Sequence, residues 1–439
     1  MGREAASSVR STVGLVDNPA LQSYVQQIGQ REAATSERPN LPWQFQVVDD
    51  PGPNAFALPG GFIYVTRGML SLMTSEAELA GVVGHEIGHV TARHSVNQIS
   101  KQQIAQLGLG LGAIFFPEAR PFESLVGAGV ELLFLKYSRD DEREADVLGF
   151  EYMRKNGYDV SEFDDVFAAL DRVGPGERGA LPTWLTTHPA PAERVEAAQT
   201  RAASVGPQPN ARVGREQYLG QIDRLVYGND PRQGFFRGRS FYHPKLRFQL
   251  TFPEGWQTEN LTQAVVGIAP GNRAALQLTI AGDIRPDTAM QRFFAQSGAV
   301  PGRVVRERFQ GEPATIAEFQ AQTDGGVVQG LTAYVMHGGL TYQLIGYTAA
   351  ALYSGYGTVL EGAIRSFAPV TDSRILNVQP QRIDIVTVPT AMTVNEFARQ
   401  FGSAVPPQTL AILNGVPGPD SMLTAGTMAK RVVGEPTDR

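Results

Sequence analysis

The chain has 439 residues, of which 42% are hydrophobic and 19% are charged, a composition typical of globular proteins. It contains 38 Lys and Arg against 44 Asp and Glu, and the resulting net charge of -6 argues against nucleic acid as a partner, which needs concentrated positive charge. The absence of cysteine excludes disulfides, cysteine-ligated metal sites and a catalytic thiol. A metal ion would have to be bound by the 6 histidines and the carboxylates.

The N-terminal residues lack the apolar core of a signal peptide. The two longest apolar stretches are residues 104–116 and 124–135, and each is shorter than the roughly 20 residues that a membrane-spanning helix needs. We therefore expect the chain to be soluble as given and its targeting sequence to be absent from it. The sequence leaves open whether the mature protein carries a lipid anchor.

The N-terminal half of the chain is predicted to be mainly helical with a small sheet. Residues 9–30 have an amphipathic helical pattern, and short strands are predicted at residues 45–48 and 62–65. A strong helix begins at Ser75, which is predicted to form a capping box with Glu78. Further helices are predicted at residues 140–155 and 192–201.

The pattern changes after residues 204–212, where Gly, Pro, Gln and Asn indicate a boundary. Strands and turns dominate from residue 241 onward, and the last unit combines a strand at residues 383–388 with helices at residues 394–401 and 409–414. The prediction is an α+β multidomain chain, with a mainly helical domain at residues 1–205, a linker at 206–240, an α+β accessory domain at 241–370 and a small βααβ domain at 371–439.

Two histidines lie inside the helix that begins at Ser75. His85 and His89 are four residues apart and share a helix face, so that both imidazoles can bind one metal ion. Glu86 lies one position further round the helix, close enough to reach a water at the metal without being a ligand. The alternative is a polar helix face with two incidental histidines, but the capped amphipathic helix favours the metal site.

A third metal ligand is predicted in the acidic run at residues 140–146. Glu142 and Asp146 share a helix face, so that Glu142 could bind the metal while Asp146 accepts a hydrogen bond from a ligand imidazole. Glu144 points to another side and is expected to be solvated. The alternative is a helix start stabilised by carboxylates near the positive end of its dipole, which would explain the run taken alone but not beside the histidine pair.

The motifs resemble those of the HtpX-, Oma- and Ste-type zinc metallopeptidases, the gluzincins of peptidase family forty-eight, and among them the soluble envelope proteases of the BepA and LoiP type. The resemblance covers residues 10–200. It rests on six segments: His85-Glu86-x-x-His89, Val90-x-x-Arg93-His94, Glu142-x-x-x-Asp146, Tyr137-Ser138-Arg139, residues 54–61, and Thr187-His188-Pro189 followed by Arg194.

This resemblance implies one zinc ion per chain, with His85, His89 and Glu142 as ligands. It also implies Glu86 as the general base and Asp146 as the outer partner of a ligand histidine. An extended protein or peptide substrate is expected to add as a strand along Asn54, Ala55, Phe56 and Ala57.

Two further residues are assigned mainly through the resemblance. His188 precedes Pro189 and is expected in extended backbone, from which it could assist catalysis or occupy the zinc as a removable fourth ligand. An ordinary loop histidine is the alternative. Arg194 could pair with a site carboxylate or orient His188, with a surface arginine as the alternative. His94 lies five residues after His89 and is predicted to be structural.

The regions after residue 240 show no catalytic cluster. Residues 241–370 resemble the PsbP and Mog-like α+β fold through Phe252-Pro253-Glu254-Gly255-Trp256. The last unit resembles a LysM module through Thr393-Val394-x-x-Phe397-Ala398 and Leu410-x-x-Leu413-Asn414. It lacks the usual Gly-Asp-Thr turn of that module, which argues against peptidoglycan as a partner.

The sequence therefore predicts a zinc-dependent endopeptidase of the periplasm or cell envelope. Its expected substrates are misfolded or assembling envelope proteins, and its expected partners are proteins of envelope or outer-membrane assembly. The alternative is an envelope chaperone or scaffold whose zinc site is latched or vestigial, with the C-terminal domains binding partners.

Overall fold

The computed structural model describes residues 2–94, 137–173, 184, 187–188, 191–261, 263–323 and 325–435. The two long apolar stretches of the sequence lie outside these residues. The chain is an α+β multidomain protein that divides into two units, of which the first holds the described residues up to 229 together with residues 381–435, and the second holds residues 230–380. Among the described residues, no helix combines the length and apolar character needed to cross a membrane.

The first unit is mainly helical. Its helices are α1 (Gly2–Thr12), α2 (Pro19–Ala34), α3 (Arg67–Leu72), α4 (Glu76–Thr91), α5 (Arg139–Lys155), α6 (Phe163–Val173), α7 (Pro191–Val205) and α8 (Arg215–Ile222). Its sheet consists of β1 (Gln44–Val48), β2 (Ala55–Leu58) and β3 (Phe62–Thr66). Part of the predicted linker thus forms α8, whose buried side chains join the core of this unit.

The amphipathic helical pattern of residues 9–30 belongs to two separate helices, α1 and α2. Gly14 has a positive φ of 80°, which ends the helical path. Asn18 then caps α2 by accepting a hydrogen bond from the backbone N–H of Leu21, and Pro19 takes the first helical position. The amphipathic pattern continues across both helices, so that periodicity alone could not reveal the break.

Strand β3 lies in the middle of the small sheet, parallel to β1 and antiparallel to β2. Strands β2 and β3 form a hairpin through Gly60 and Gly61, both with positive φ. Side chains of the sheet alternate between two apolar clusters, one shared with α2 and α4 and the other shared with α1. Strand β2 is an edge strand, and it packs against α4.

Helix α4 is a core helix, buried over almost its whole length. Ser75 caps it by accepting a hydrogen bond from the N–H of Glu78, at 3.1 Å. The reciprocal bond of the predicted capping box is missing, because the Glu78 carboxylate instead accepts from the N–H of Thr74 at 2.9 Å. The carboxylate of Glu76, in the first turn, accepts hydrogen bonds from Tyr24 and Tyr158 and so fixes the start of the helix.

Small residues let α5 approach α4 closely. A Cβ added to Gly149 would lie 2.7 Å from the backbone N of His85, and a Cβ added to Gly88 would lie 3.0 Å from the Cα of Ala145. Gly84 faces Gly149 in the same way, at 3.2 Å. The backbones of the two helices are therefore in contact, which brings the side chains of α5 to the histidine face of α4.

The second unit is built on antiparallel strands. Its strands are β4 (Phe235–Arg237), β5 (Ser240–His243), β6 (Phe248–Thr251), β7 (Gln257–Asn260), β8 (Ala264–Ile268), β9 (Ala274–Gly282), β10 (Val300–Phe309), β11 (Glu312–Thr323), β12 (Gly326–His337), β13 (Leu340–Ala349) and β14 (Ala368–Pro369). They form a seven-stranded sheet of order β10-β11-β12-β13-β9-β8-β7 and a four-stranded sheet of order β14-β6-β5-β4. Its helices are α9 (Pro286–Ser297), α10 (Tyr353–Arg365) and α11 (Ser373–Leu376).

Residues 381–435 return to the first unit. They form β15 (Arg382–Thr387), β16 (Met392–Thr393), α12 (Val394–Phe401), α13 (Pro407–Leu413), β17 (Met422–Leu423) and β18 (Met428–Val433). Strand β15 pairs with β18 antiparallel, with the two helices between them along the chain, as the predicted βααβ order requires. Ile383, Leu413 and Val432 belong to the same apolar core as α2 and α4.

Candidate active site

The three residues predicted on α4 lie together in the interior. His85, Glu86 and His89 are each at most 1% exposed. One helical turn separates the two histidines, and their Nε2 atoms are 3.0 Å apart. Both rings therefore present the same nitrogen to one point, as the i, i+4 spacing predicts.

Helix α5 adds a carboxylate to this point. Ser138 caps α5 with a complete capping box, which fixes its first turn. Glu142 lies in this turn, with its oxygens 3.6 Å from His85 Nε2 and 3.4 Å from His89 Nε2. Donor atoms of a tetrahedral zinc site are about 3.4 Å apart, given zinc–ligand bonds of roughly 2.0–2.2 Å. Two imidazoles and a carboxylate at these separations fit a zinc ion in donor type and in spacing.

Asp146 and Arg194 form a buried ion pair behind His85. The guanidinium of Arg194 donates two hydrogen bonds to Asp146, at 2.8 and 2.6 Å, and its Nη1 lies 2.9 Å from Glu142. Asp146 Oδ1 is 2.9 Å from His85 Nδ1, the nitrogen that faces away from the donor cluster. Arg194 is only 4% exposed, so that the surface-arginine alternative is wrong.

His188 also reaches the donor cluster. Its Nδ1 lies 2.9 Å from Glu142 Oε1 and 3.3 Å from His85 Nε2, and its Nε2 lies 3.7 Å from Glu86 Oε1. The His188 N–H donates to the carbonyl of Trp184, at 2.7 Å, and the extended backbone of His188 stays a prediction. The indole of Trp184 stacks on the imidazole at 3.8 Å between ring centroids and holds its orientation.

The two carboxyl groups of the site have pKa values shifted in opposite directions. Burial, reinforced by the charge of Glu142, raises the pKa of Glu86 well above its usual range. Burial also opposes ionisation of Glu142, but His188 and Arg194 outweigh it and hold the pKa of that carboxyl well below its usual range. Burial lowers the pKa of His188 to about 4 and that of His89 well below normal. Both imidazoles are therefore neutral, and each has a nitrogen lone pair that can bind a metal ion.

Glu86 faces the same space without binding to anything in it. Within the described part of the chain, neither of its carboxylate oxygens has a hydrogen-bond partner. A buried carboxylate in this state is available to a molecule that enters the site. A cation held by the neighbouring donors would also lower its pKa again, because a nearby positive charge favours the ionised form.

The predicted substrate segment lies at the edge of the small sheet. Ala55, Phe56 and Ala57 belong to β2, and Asn54 immediately precedes it. The amide oxygen of Asn54 is buried and has no partner among the described residues. The N–H of Trp184 donates to the carbonyl of Pro53 at 3.3 Å. This bond links Trp184, on which His188 stacks, to the start of this edge.

Two contacts of His89 were missed by the sequence prediction. Tyr137 stacks on its ring at 3.8 Å between centroids. His94 approaches its outer nitrogen, with 2.9 Å between the two Nδ1 atoms, although a separation of five residues does not place two side chains on one helix face. The remaining predicted residues, Glu86, Glu142, Asp146, His188 and Arg194, surround the histidine pair on the other sides.

Comparison with known proteins gives a family for this region. Residues 19–202 match the model of peptidase family M48. The beta-barrel assembly-enhancing protease of Yersinia pestis is 29% identical over 243 residues, which cover 52% of this chain and 49% of that protein. The mitochondrial metalloendopeptidase OMA1 of Arabidopsis thaliana is 36% identical over 183 residues, covering 41% of this chain and 36% of that protein. The matches thus span half or less of these relatives.

Solved structures match the chain only weakly. Cyanobacterial PsbP from Synechocystis sp. PCC 6803 covers 30% of this chain and 91% of its own, at 14% identity and a TM-score of 0.26. LpqN of Mycobacterium tuberculosis covers 28% of this chain and 83% of its own, at 15% identity and a TM-score of 0.23. These scores are too low to assign a fold, so the PsbP-like prediction stays a prediction.

The family assignment rests on the sequence comparison alone. Residues 19–202 form a metallopeptidase domain of peptidase family M48.

Proposed function

We propose that the protein is a zinc-dependent endopeptidase, with His85, His89 and Glu142 as the ligands of one zinc ion. The observation that carries the proposal is the convergence of these three side chains, from two helices, on one buried point at zinc-like separations. The membership of residues 19–202 in peptidase family M48 supports it. Zinc bound there would polarise the peptide carbonyl and favour ionisation of the attacking water.

Glu86 is the general base in this proposal. It lies on the same helix turn as His85 but offers its carboxylate to the space beside the ligands, where no described group engages it. It would take the proton of the attacking water and return it to the nitrogen of the leaving amine. Asp146, itself bound by Arg194, would accept a hydrogen bond from the Nδ1 proton of His85 and so hold it in the tautomer whose Nε2 lone pair points at the metal.

The substrate is proposed to bind as an added strand along the edge of β2. Its backbone would pair with the edge of β2 that no described strand occupies, next to α4, and the buried amide oxygen of Asn54 would take part in this pairing. Recognition through the backbone suits an enzyme that acts on unfolded segments of many sequences. The proposed substrates are misfolded or assembling envelope proteins and the proposed location is the periplasm. The name of the relatives from Yersinia pestis and Escherichia coli, beta-barrel assembly-enhancing protease, supports a role in protein assembly.

The two C-terminal parts of the chain are proposed to be accessory. The strand-rich second unit would have a PsbP-like fold, and residues 381–435 a LysM-like one, on the motifs described above. Within residues 381–435, the order of β15, two helices and β18 supports the LysM-like assignment. Envelope assembly proteins are the proposed partners, and neither nucleic acid nor peptidoglycan is proposed as one.

The test is cleavage of an unfolded protein such as casein by the full chain, with and without a chelator. We expect cleavage that a chelator abolishes and that added zinc restores. Glu86→Gln should retain zinc and fold but lose about 10²-fold or more in rate, the usual scale for a general base. His85→Ala/His89→Ala should lose the zinc itself. Near-normal turnover by Glu86→Gln, or unchanged zinc content in the double variant, would refute the proposed site.

One observation also favours a latched site as a second candidate. His188 Nδ1 lies among the donors, so that this imidazole can serve as a fourth zinc ligand and keep water and substrate away. In that state the chain would act as a chaperone or scaffold until His188 leaves the zinc ion. A full chain that binds zinc and an unfolded protein but does not cleave it would support this alternative.

A further inference from the structure

The ring of His94 lies behind the ring of His89, and the two rings face each other through their Nδ1 atoms. The two Nδ1 atoms are 2.9 Å apart, and His94 is 3% exposed. On its other side, His94 Nε2 is 3.3 Å from the carboxylate of Glu144 and 3.6 Å from that of Asp141, both on α5. His94 thus connects a ligand of the proposed zinc site to the acidic first turns of α5.

The hydrogen-bond directions in this chain of rings follow from the proposed metal site. A neutral imidazole carries one proton, and His89 must keep Nε2 free of it to bind a metal there. Its Nδ1 therefore carries the proton and donates to His94 Nδ1, which must be an acceptor. His94 in turn carries its proton on Nε2 and donates to Glu144. Every donor in this arrangement then meets an acceptor.

The two proposed histidine ligands have outer partners of different kinds. His85 Nδ1 faces the ionised carboxylate of Asp146, which Arg194 neutralises. His89 Nδ1 faces a neutral imidazole instead, and the carboxylate stands one ring further away. His94 is not itself in the donor cluster, which among the described residues consists of His85, His89, Glu142 and His188.

We propose that His94 is a positioning residue for His89, which fixes the tautomer and the ring orientation of this ligand through its Nδ1. The proposal rests on the zinc site proposed above. A partner of this kind raises zinc affinity because it holds the ligand nitrogen in place before the metal arrives, and losing it typically weakens binding by about 10–100-fold.

The experiment compares His94→Asn with His94→Leu in the full chain. The two side chains branch at the same atom and have similar sizes, but only Asn keeps an oxygen acceptor at the place of Nδ1. We expect His94→Leu to weaken zinc binding by about 10–100-fold, measured by competition with a chelator, and His94→Asn to stay within about threefold of wild type. Circular dichroism of the metal-free proteins serves as the control for folding.

A second comparison applies if His94→Leu does not fold. His94→Gln keeps a polar side chain but moves its oxygen toward the place of Nε2, so that it should bind zinc more weakly than His94→Asn. Nitrogen NMR of the zinc-loaded wild type should also show His94 protonated at Nε2 and not at Nδ1.

The outcomes separate this inference from the proposed function. Equal zinc affinity of wild type and His94→Leu, or of the Asn and Gln variants, would overturn the positioning role and leave the zinc site intact. Zinc content that survives His85→Ala/His89→Ala would overturn the proposed site itself, and the role of His94 with it.

Discussion

The imidazole of His188 has two possible effects on proteolysis, and its position decides between them. Because its Nδ1 lies 2.9 Å from Glu142 Oε1, inside the donor cluster, we expect it to compete with water and substrate for the metal. His188→Ala should therefore increase the rate of casein cleavage and of self-cleavage, with zinc still bound. His188→Ala/Glu86→Gln should be inactive, which checks that the increase arises at the same site. A fall in rate would instead make His188 a donor to the transition state.

The residues at the site differ in how far the sequence could predict them. His85 and His89 follow from helix spacing alone, and Glu142 and Asp146 from their spacing beside that pair. The contact between His94 and His89 could not be predicted from spacing, because it depends on the end of α4. Arg93 has a positive φ of 63°, so that the chain leaves the helix and brings His94 back to the ring of His89.

Buried charge is the other feature that no local pattern revealed. Glu32, on α2, is fully buried, and neither of its carboxylate oxygens has a partner among the described residues. Burial raises its pKa well above the usual range, so that it resists ionisation. Its neighbour Arg31 points instead to Glu76, with 2.9 Å between the charged atoms. The sequence shows both residues as an ordinary polar helix face, and only the packing around α2 distinguishes them.

At the level of elements, the site depends on the close approach of α4 and α5. Gly149→Ala should push these helices apart, because the new Cβ would lie 2.7 Å from the backbone N of His85, where no flexible side chain can yield. We expect a loss of about 1–3 kcal/mol in the free energy of unfolding. Zinc affinity should fall as well, since Glu142 lies on the displaced helix. Denaturant titration and chelator competition measure the two effects.

The control for this change is Gly220→Ala in α8. A Cβ at Gly220 meets no atom of the described residues within 4 Å, and the φ of Gly220 is not positive. Alanine there should leave zinc affinity unchanged and stabilise the helix by about 0.5–1 kcal/mol. If Gly149→Ala behaved like Gly220→Ala, the contact between the helices would not support the site.

The helices themselves were easier to predict than their packing. Helix α5 was predicted at residues 140–155 and α12 at residues 394–401, within one residue of the observed bounds, because capping residues and apolar periodicity mark them locally. The spacing between α4 and α5 depends instead on which glycines face each other. That pairing joins residues more than 60 positions apart, and no window of sequence contains it.

At the scale of the whole molecule, the C-terminal segment is part of the unit that carries the candidate site. Residues 381–435 share their apolar core with α2 and α4, and Arg172 on α6 also donates to the carbonyl of Val416 at 2.5 Å. The sequence could mark this segment as a separate pattern after residue 371 but not its return to the N-terminal unit, because that return depends on contacts between distant residues. The segment is therefore a structural component of this unit, whatever else it binds.

Lys430 on β18 makes a further polar contact in this packing. It is fully buried, and its ammonium group donates to the carbonyls of Ser71 and Met73 at 2.8 Å and to that of Leu72 at 3.3 Å, where α3 ends and the chain turns into the cap of α4. Lys430→Met keeps the length of the side chain but leaves these carbonyls without their donor. The full chain should lose about 1–3 kcal/mol in the free energy of unfolding, measured by denaturant titration.

The matched control is Lys245→Met, at an exposed position of the second unit, which should change stability by less than about 0.5 kcal/mol. Equal stability of the two variants would show that this contact does not hold the C-terminal segment to the start of α4.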